Sequence, residues 1–279
     1  MKNDIFALYN ACFPNMKIRF EAFLNKLDYD HSEIIVRKDK NEVIGFSIVK
    51  DNAILLLCVN PKLQNKGYGT ELLQQSEQNI KAQGFDKIIL GCGSTYLFQG
   101  VPMGTEEKTH LFFEKRGYRS DGISVNMTMR LNDFSINTIQ MPKAPDTVLF
   151  RYATAEDKAK LLPAVAEVEA EWVKYYEHSE EPILIAVEGS DVLGFEIISA
   201  NMDTFYSDER DTIGAVGCVG VVPQVRKRGI GLQLVALGIE VLKKNDCDEV
   251  FIGYTYYENW YALLGHKTSE RFWMGYKNI

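Results

Sequence analysis

Two stretches of this chain, 162 residues apart, carry the same punctuation, and that repeat constrains the fold more than any other feature. One apolar run ends in Leu57-Cys58-Val59-Asn60-Pro61 and continues Lys62-Leu63-Gln64-Asn65-Lys66-Gly67-Tyr68-Gly69. A second ends in Val219-Gly220-Val221-Val222-Pro223 and continues Gln224-Val225-Arg226-Lys227-Arg228-Gly229-Ile230-Gly231. The register persists: Asp86-Lys87-Ile88-Ile89-Leu90-Gly91 matches Asp248-Glu249-Val250-Phe251-Ile252-Gly253 at the same offset. Upstream, residues 42–46 match 191–195 at an offset of 149, and downstream 113–117 match 261–265 at 148. One match of this kind can be chance. Several in a common order read as a tandem duplication, each copy a supersecondary unit repeated whole. This predicts a first domain over 1–131, a linker over 132–147 containing Pro142 and Pro145, and a second domain over 148–279.

Each copy reads as helix, hairpin, apolar strand, glycine turn, helix, strand, helix and last strand. The helical stretches are 3–13 and 17–27 in the first copy and 154–176 in the second. The hairpins pair 33–37 with 43–50 and 183–187 with 191–199, around turn-forming Asp39-Lys40-Asn41 and Gly189-Ser190. Apolar strands at 53–59 and 214–222 run into helices at 68–83 and 230–244, whose apolar residues recur at helical spacing. This is an α/β fold, a mixed sheet with helices. Only the second copy opens with an extra strand, Val148-Leu149-Phe150-Arg151, before a Thr154 N-cap with Asp157 three residues on. The first copy lacks that strand and reads as the degenerate one. The linker segment Ile136–Met141, or part of the other copy, is expected to cover its bare sheet edge.

Charge narrows the partners. Residues 1–131 carry 17 Lys+Arg against 15 Asp+Glu, whereas 132–279 carry 14 against 23, and the whole chain is at −7. A net-acidic chain is a poor general nucleic-acid binder, and the acidic second half suits a cationic small molecule. No apolar run approaches a membrane span, and Met1-Lys2-Asn3-Asp4 does not start a signal peptide, so a cytoplasmic protein is expected. The five cysteines make no CxxC pair and the four histidines no zinc spacing, so no metal is expected. Cys58 and Cys218 read as small core residues.

A strand that runs into Gln/Arg-x-x-Gly-x-Gly and then a helix builds an anion site. Glycine permits left-handed backbone and close approach, the first helical N–H groups are unsatisfied, and a diphosphate fits there. Lys66, Arg226, Lys227 and Arg228 add charge-assisted contacts. The spacing is neither GxxxxGK[ST] nor GxGxxG, since Leu72 and Leu234 stand where a third glycine would be.

Val-x-Pro, then Gln/Arg-x-x-Gly-x-Gly, then an amphipathic helix resembles motif A of the GCN5-related N-acetyltransferase (GNAT) superfamily. The resemblance covers both copies, in the tandem arrangement of mycothiol-synthase-like proteins. It implies two GNAT domains and acetyl-CoA as cosubstrate. Its pyrophosphate would sit on Gln64, Asn65, Lys66, Gly67, Tyr68, Gly69 and Thr70 in the first copy. In the second it would sit on Arg226, Lys227, Arg228, Gly229, Ile230, Gly231 and Leu232. The backbone of Val59 and Val221 would pair with the pantetheine arm. The family chemistry is direct transfer of the acetyl group to an amine, with a tyrosine protonating the departing thiolate. Tyr261, four residues before Gly265, matches that tyrosine, while the first copy has Phe113, with Tyr96 or Tyr118 as possible stand-ins. The second copy has His266 where the family favours an aromatic.

The working site is therefore expected in the second copy, acting on a primary amine of a small molecule. Neither apolar strand carries a carboxylate. Glu196, and Asp203, Asp208, Glu209 and Asp211 in the inserted loop 201–212, are the candidates for general base or substrate contact, alongside a water chain. The alternative is an acyl-CoA-binding sensor or scaffold without turnover. In the first copy the insert 91–102, with Gly100-Val101-Pro102, resembles one found in mycothiol-synthase-like relatives and reads as a second pocket or a contact between domains.

Overall fold

The computed structural model describes residues 1–92, 96–104, 108–132 and 134–279, so Gly93, Ser94 and Thr95 of the insert lie outside the described residues. In the first half, helices α1 (Lys2–Cys12) and α2 (Phe20–Lys26) precede strands β1 (Glu33–Asp39), β2 (Glu42–Lys50) and β3 (Ala53–Val59). Helix α3 (Tyr68–Ala82), β4 (Lys87–Leu90), β5 (Val101–Pro102), α4 (Thr109–Glu114) and β6 (Arg119–Arg130) follow. The second half holds β7 (Leu149–Tyr152), α5 (Lys158–Val168), α6 (Val173–Glu177), β8 (Ile183–Glu188), β9 (Asp191–Ser199) and β10 (Ile213–Val221). It ends with α7 (Ile230–Lys244), β11 (Glu249–Thr255), α8 (Glu258–Ala262) and β12 (Lys267–Asn278).

Contacts divide the chain into two compact units, and neither is one stretch of sequence. The first comprises Met1–Val125, Asp203–Glu209 and Glu270–Ile279; the second comprises Asn126–Met202 and Arg210–Ser269. This differs from a cut at 131 and 148. The first unit orders its strands β1-β2-β3-β4 and adds the end of β12, whose Tyr276, Lys277 and Asn278 pair antiparallel with Ile89, Ile88 and Lys87. The second orders β7-β8-β9-β10-β11 and adds the end of β6. There the Arg130 guanidinium meets Glu249 of β11 at 3.2 Å. The physical reason is that β6 and β12 are alike, twelve residues each with a buried centre, so order along the chain does not say which sheet a terminal strand joins.

Both units bury an apolar face of the sheet against helices. In the first, Ile5, Tyr9 and Phe23 from the helices close over Phe46, Ile48, Leu56 and Cys58. In the second, Leu161, Val165 and Tyr176 close over Ile185 and Phe195. Phe46 and Phe195 occupy matching positions and are both fully buried, each stabilising its unit by about 1.5–3 kcal/mol relative to exposure. Thr154 and Asp157 form the expected capping box. The single helix expected over 154–176 is instead broken at Glu169 (φ −157°, ψ 105°), whose carboxylate takes the N–H of Glu171. β1 ends the strand order of the first unit, and the described linker residues belong to the second. The linker runs beside α7: Ile136 N–H donates to Glu240, Ala144 N–H to Gln233, and Lys243 to the carbonyls of Asn132 and Phe134.

Candidate active site

In each unit two parallel strands pair at one end and then part. β3 and β4 hold only two registered pairs, Ala53 with Ile89 and Ile54 with Leu90. β10 and β11 hold three, from Ile213 with Glu249 to Ala215 with Phe251. Beyond Gly217 the register of β10 against β9 slips by a bulge, and Cys218 sits there at φ +49°. Tyr176 braces the bulge by donating its hydroxyl proton to the Cys218 carbonyl at 2.7 Å. Bulges re-aim side chains beside functional sites. Cys218 thus packs against the core as expected and also lines the cavity, and burial pushes its thiol up to about 11.

The parted strands of the second unit open onto a cavity of about 950 Å³, the upper part of the range for ligand sites. Its wall has two chemistries. One end is the glycine turn, with Arg226, Lys227, Gly229, Ile230, Gly231 and Leu232. The other is aromatic: Trp172, Tyr254, Tyr256, Tyr257, Trp260 and Tyr261. Glu169 is its one carboxylate among the described residues, brought to the wall with Trp172 by the break after α5. Tyr256 and Tyr257 are largely exposed, at 58% and 71%, and so form the mouth.

The two glycine turns share one backbone. Asn65 and Gly67 have φ of +60° and +90°; Lys227 and Gly229 have +67° and +81°. Alternation of left- and right-handed residues at a helix start points successive N–H groups into one concavity, which binds anions. Gln64 and Arg226 play one part in both: each donates to the carbonyl of the valine five residues earlier, Val59 or Val221, at 3.3 and 3.1 Å. The second glycine of each turn lies under an aromatic ring. A Cβ at Gly69 would meet Phe112 at 3.5 Å, and one at Gly231 would meet Trp260 at 3.1 Å and Val221 at 3.3 Å. A side chain at either position would be held against that ring.

The turns differ in what surrounds them. Nothing lies within 4 Å of a Cβ placed on Gly67, whereas one on Gly229 would stand 2.6 Å from the Pro142 carbonyl oxygen. The linker thus crosses the second turn as a strap, and Pro142 joins the cavity wall. Arg228, expected to reach a phosphate, instead forms a forked ion pair with Glu188, at 3.0 and 3.3 Å. In the first unit Arg116 lies 3.8 Å over the Phe112 ring and donates to Thr70 at 2.6 Å, and Arg37 pairs with Glu71.

Tyr261 is buried and lines the cavity; burial first, then the nearby Glu196, Tyr257 and Cys218, hold its phenol above the ordinary range. It is therefore a proton donor, not a phenolate, at neutral pH. The His266 ring stands edge-on to it, centroids 5.9 Å apart, and burial pushes that imidazole down to about 4. At the matching place in the first unit, Phe113 is buried against Leu73, Ile80 and Trp273, and the Tyr118 hydroxyl donates to Glu77 at 3.1 Å. Leu97 and Phe98 of the insert are buried in the core with Leu56 and Cys58.

Among the described residues, the inserted loop contributes none to the cavity wall. Residues 203–209 belong to the first unit: Phe205 stacks on Phe98, Tyr206 N–H donates to the Lys17 carbonyl, and Arg19 holds the Glu209 carbonyl. Asp203, Asp208 and Glu209 therefore belong to the first unit, not to the one that holds Tyr261. Glu196 is fully buried behind the wall rather than in it. Sequence reasoning missed Trp172 and Glu169, because a helix break has no glycine or proline to announce it here.

The model of the acetyltransferase (GNAT) family matches residues 2–99 and again 150–263. A curated relative, the uncharacterized protein YxbD of Bacillus subtilis (strain 168), is 28% identical over 92 residues; the match spans 32% of this chain and half the length of the relative. Among solved structures, a GCN5-related glucosamine N-acetyltransferase region of a fungal multi-domain GH3 β-N-acetylglucosaminidase superposes over 99% of this chain. Its TM-score is 0.80 at 22% identity, and the match covers 36% of the fungal chain. A GCN5-related N-acetyltransferase from Sphaerobacter thermophilus gives 0.75 at 18% over 99% of this chain and 91% of its own. A tandem GNAT protein from the clavulanic acid biosynthesis pathway gives 0.69 at 13% over 99% and 94%. At these identities the structural likeness is one of fold.

Proposed function

The chain belongs to the acetyltransferase (GNAT) family, with two copies of its fold, and we propose that the second unit transfers an acetyl group from acetyl-CoA to a primary amine of a small molecule. The observation that carries this reading is the cavity running from the positive-φ turn at Lys227–Gly229 to the buried phenol of Tyr261. At one end, the N–H groups of the turn with Arg226 and Lys227 hold the pyrophosphate of acetyl-CoA, and parted β10 offers backbone to its pantetheine arm. At the other, Tyr261 protonates the thiolate as the amine nitrogen bonds to the acetyl carbon. The aromatic mouth with Glu169 suits an acceptor that arrives as a cation, held by ring faces and one carboxylate.

The first unit is assigned a binding or structural role, because the buried Phe113 has no proton to give and Phe98 and Leu97 belong to its core. The test is thiol release from acetyl-CoA across a panel of primary amines, with calorimetry of acetyl-CoA binding. Sustained release lost in Tyr261→Phe supports the reading. Tight binding without release under any amine supports an acyl-CoA sensor, and no binding at all rejects both.

A further inference from the structure

The two copies end one helix in the same way and then diverge. Helices α1 and α5 are both 11 residues long, and their buried residues coincide: Ile5, Leu8 and Tyr9 in one, Leu161, Ala164 and Val165 in the other. The last turn closes alike, Phe13 N–H on the Tyr9 carbonyl and Glu169 N–H on the Val165 carbonyl, both at 2.8 Å. Phe13 and Glu169 are therefore matching positions, and so are Met16 and Trp172, three residues further on in each copy. In the first unit the place is shut by apolar side chains. The Phe13 ring stands edge-on to Phe98 with centroids 5.0 Å apart, and Met16 belongs to the core. In the second unit Glu169 is exposed, Trp172 is half-buried, and both line the cavity.

Where they stand decides what they can hold. Successive strand residues face opposite sides of a sheet. At the end of β10, a Cβ on Gly220 would meet Val168, the last residue of α5, at 3.2 Å. The next side chain, Val221, stands 3.3 Å from a Cβ on Gly231, the glycine under Trp260. Glu169 and Trp172 thus enter the cavity from one face of β10, and Trp260 with its neighbour Tyr261 from the other. The Glu169 carboxylate accepts the Glu171 N–H at 3.3 Å and makes no ion pair among the described residues. A carboxylate and an indole ring on one wall, with no cation of their own, make a site for a cation. That cation is not the nitrogen that reacts. A carboxylate holds an ammonium in its charged form, whereas the nitrogen that attacks the acetyl carbon needs its lone pair.

Resting on the reading of this cavity as the transfer site, we propose that the acceptor is a dication, an α,ω-diamine or an amine with a second fixed positive charge, and that Glu169 and Trp172 are the residues that select it. The second charge stays between the Glu169 carboxylate and the Trp172 ring. The first nitrogen, across β10, gives its proton to solvent and meets the thioester beside Tyr261. A monoamine satisfies only one of these demands: held by Glu169 it lies away from the thioester, and at the thioester it leaves the carboxylate and the ring unused. Arg226 and Lys227 repel a cation from the turn end of the cavity, so the second charge has one place to go.

Glu169→Gln keeps an oxygen for the Glu171 N–H and removes the charge, so the variant is expected to fold with an unchanged Tm. The first readout needs no turnover. Choline carries a fixed charge and no amine, and 3,3-dimethylbutan-1-ol is its uncharged isostere. Titrated into the full chain and followed by tryptophan fluorescence, choline is expected to bind about 10-fold or more tighter than the isostere. That margin is expected to shrink several-fold in Glu169→Gln and in Trp172→Leu. The second readout is the ratio of kcat/KM between α,ω-diamines, from propane to octane, and the monoamines of the same length. At the best length the ratio is expected to reach about 10-fold or more, and to drop several-fold in Glu169→Gln. Choline held no tighter than its isostere, monoamines served as well as diamines, or a preference untouched by Glu169→Gln overturns the proposal. Selective choline binding that weakens in Glu169→Gln, without thiol release under any amine, reports separately: it sinks the transfer reading, and the acceptor with it, while the cation site stands.

Discussion

Replacing each turn glycine by alanine separates backbone conformation from the strap. Gly67 and Gly229 stand at φ +90° and +81°, so both substitutions put a side chain into left-handed backbone, at about 1–2 kcal/mol. At Gly67 the added methyl meets open space, and the cost ends there. At Gly229 it meets backbone, the Pro142 carbonyl oxygen at 2.6 Å and Lys143 C at 2.9 Å. Either the turn distorts or the strap lifts, which adds about 1–3 kcal/mol as overpacking does. Hydrogen exchange on peptides covering 64–73 and 226–235 reads local opening at each turn. The total at Gly229, about 2–5 kcal/mol, speeds exchange there by at least about 30-fold, against about 10-fold at Gly67. Gln233→Ala, which releases the Ala144 N–H, lets the strap yield and narrows the difference. Equal acceleration at the two turns, with or without Gln233→Ala, would refute the reasoning.

Three further outcomes are expected. Tyr261→Phe lowers kcat by about 10²–10⁴-fold, the usual worth of a positioned acid, while calorimetry finds acetyl-CoA affinity within a few fold of wild type. His266 titrates at about 4 when folded and near 6.5 unfolded, so between those values the unfolded chain binds the extra proton. Stability therefore falls as pH drops through that window, by up to about 3 kcal/mol. His266→Phe should flatten that slope in denaturation curves at pH 4.5, 5.5 and 6.5. Glu188→Gln breaks the half-exposed pair with Arg228 at about 0–1 kcal/mol of stability. The released guanidinium should tighten acetyl-CoA binding at low salt, an effect that fades as ionic strength rises.

What could be read without coordinates was whatever depends on local chemistry. Gly67 and Gly229 announce their turns because few other residues take that backbone, and Thr154 with Asp157 announces a cap because its two hydrogen bonds are three residues apart. The helices after the turns follow from spacing alone. What escaped depends on partners far along the chain. β6 and β12 carry interchangeable patterns, so their sequences do not say which sheet each completes. Loop 203–209 is polar enough to pass for a substrate loop, and Phe205 in the aromatic cluster around Phe98 reveals that it is packed. Glu196 is the instructive middle case. A lone carboxylate between Phe195 and Ile197 is visible in the sequence, but its setting involves Gly238, forty-two residues away. Neither residue is unusual by itself. Set against Ser47 and Ser76 at the same two places, they become a compensated exchange, in which one position lost its side chain so that the other could bury an acid. A duplicated chain thus carries its own control, and the positions where its copies disagree in the core are where the second unit's chemistry is to be sought.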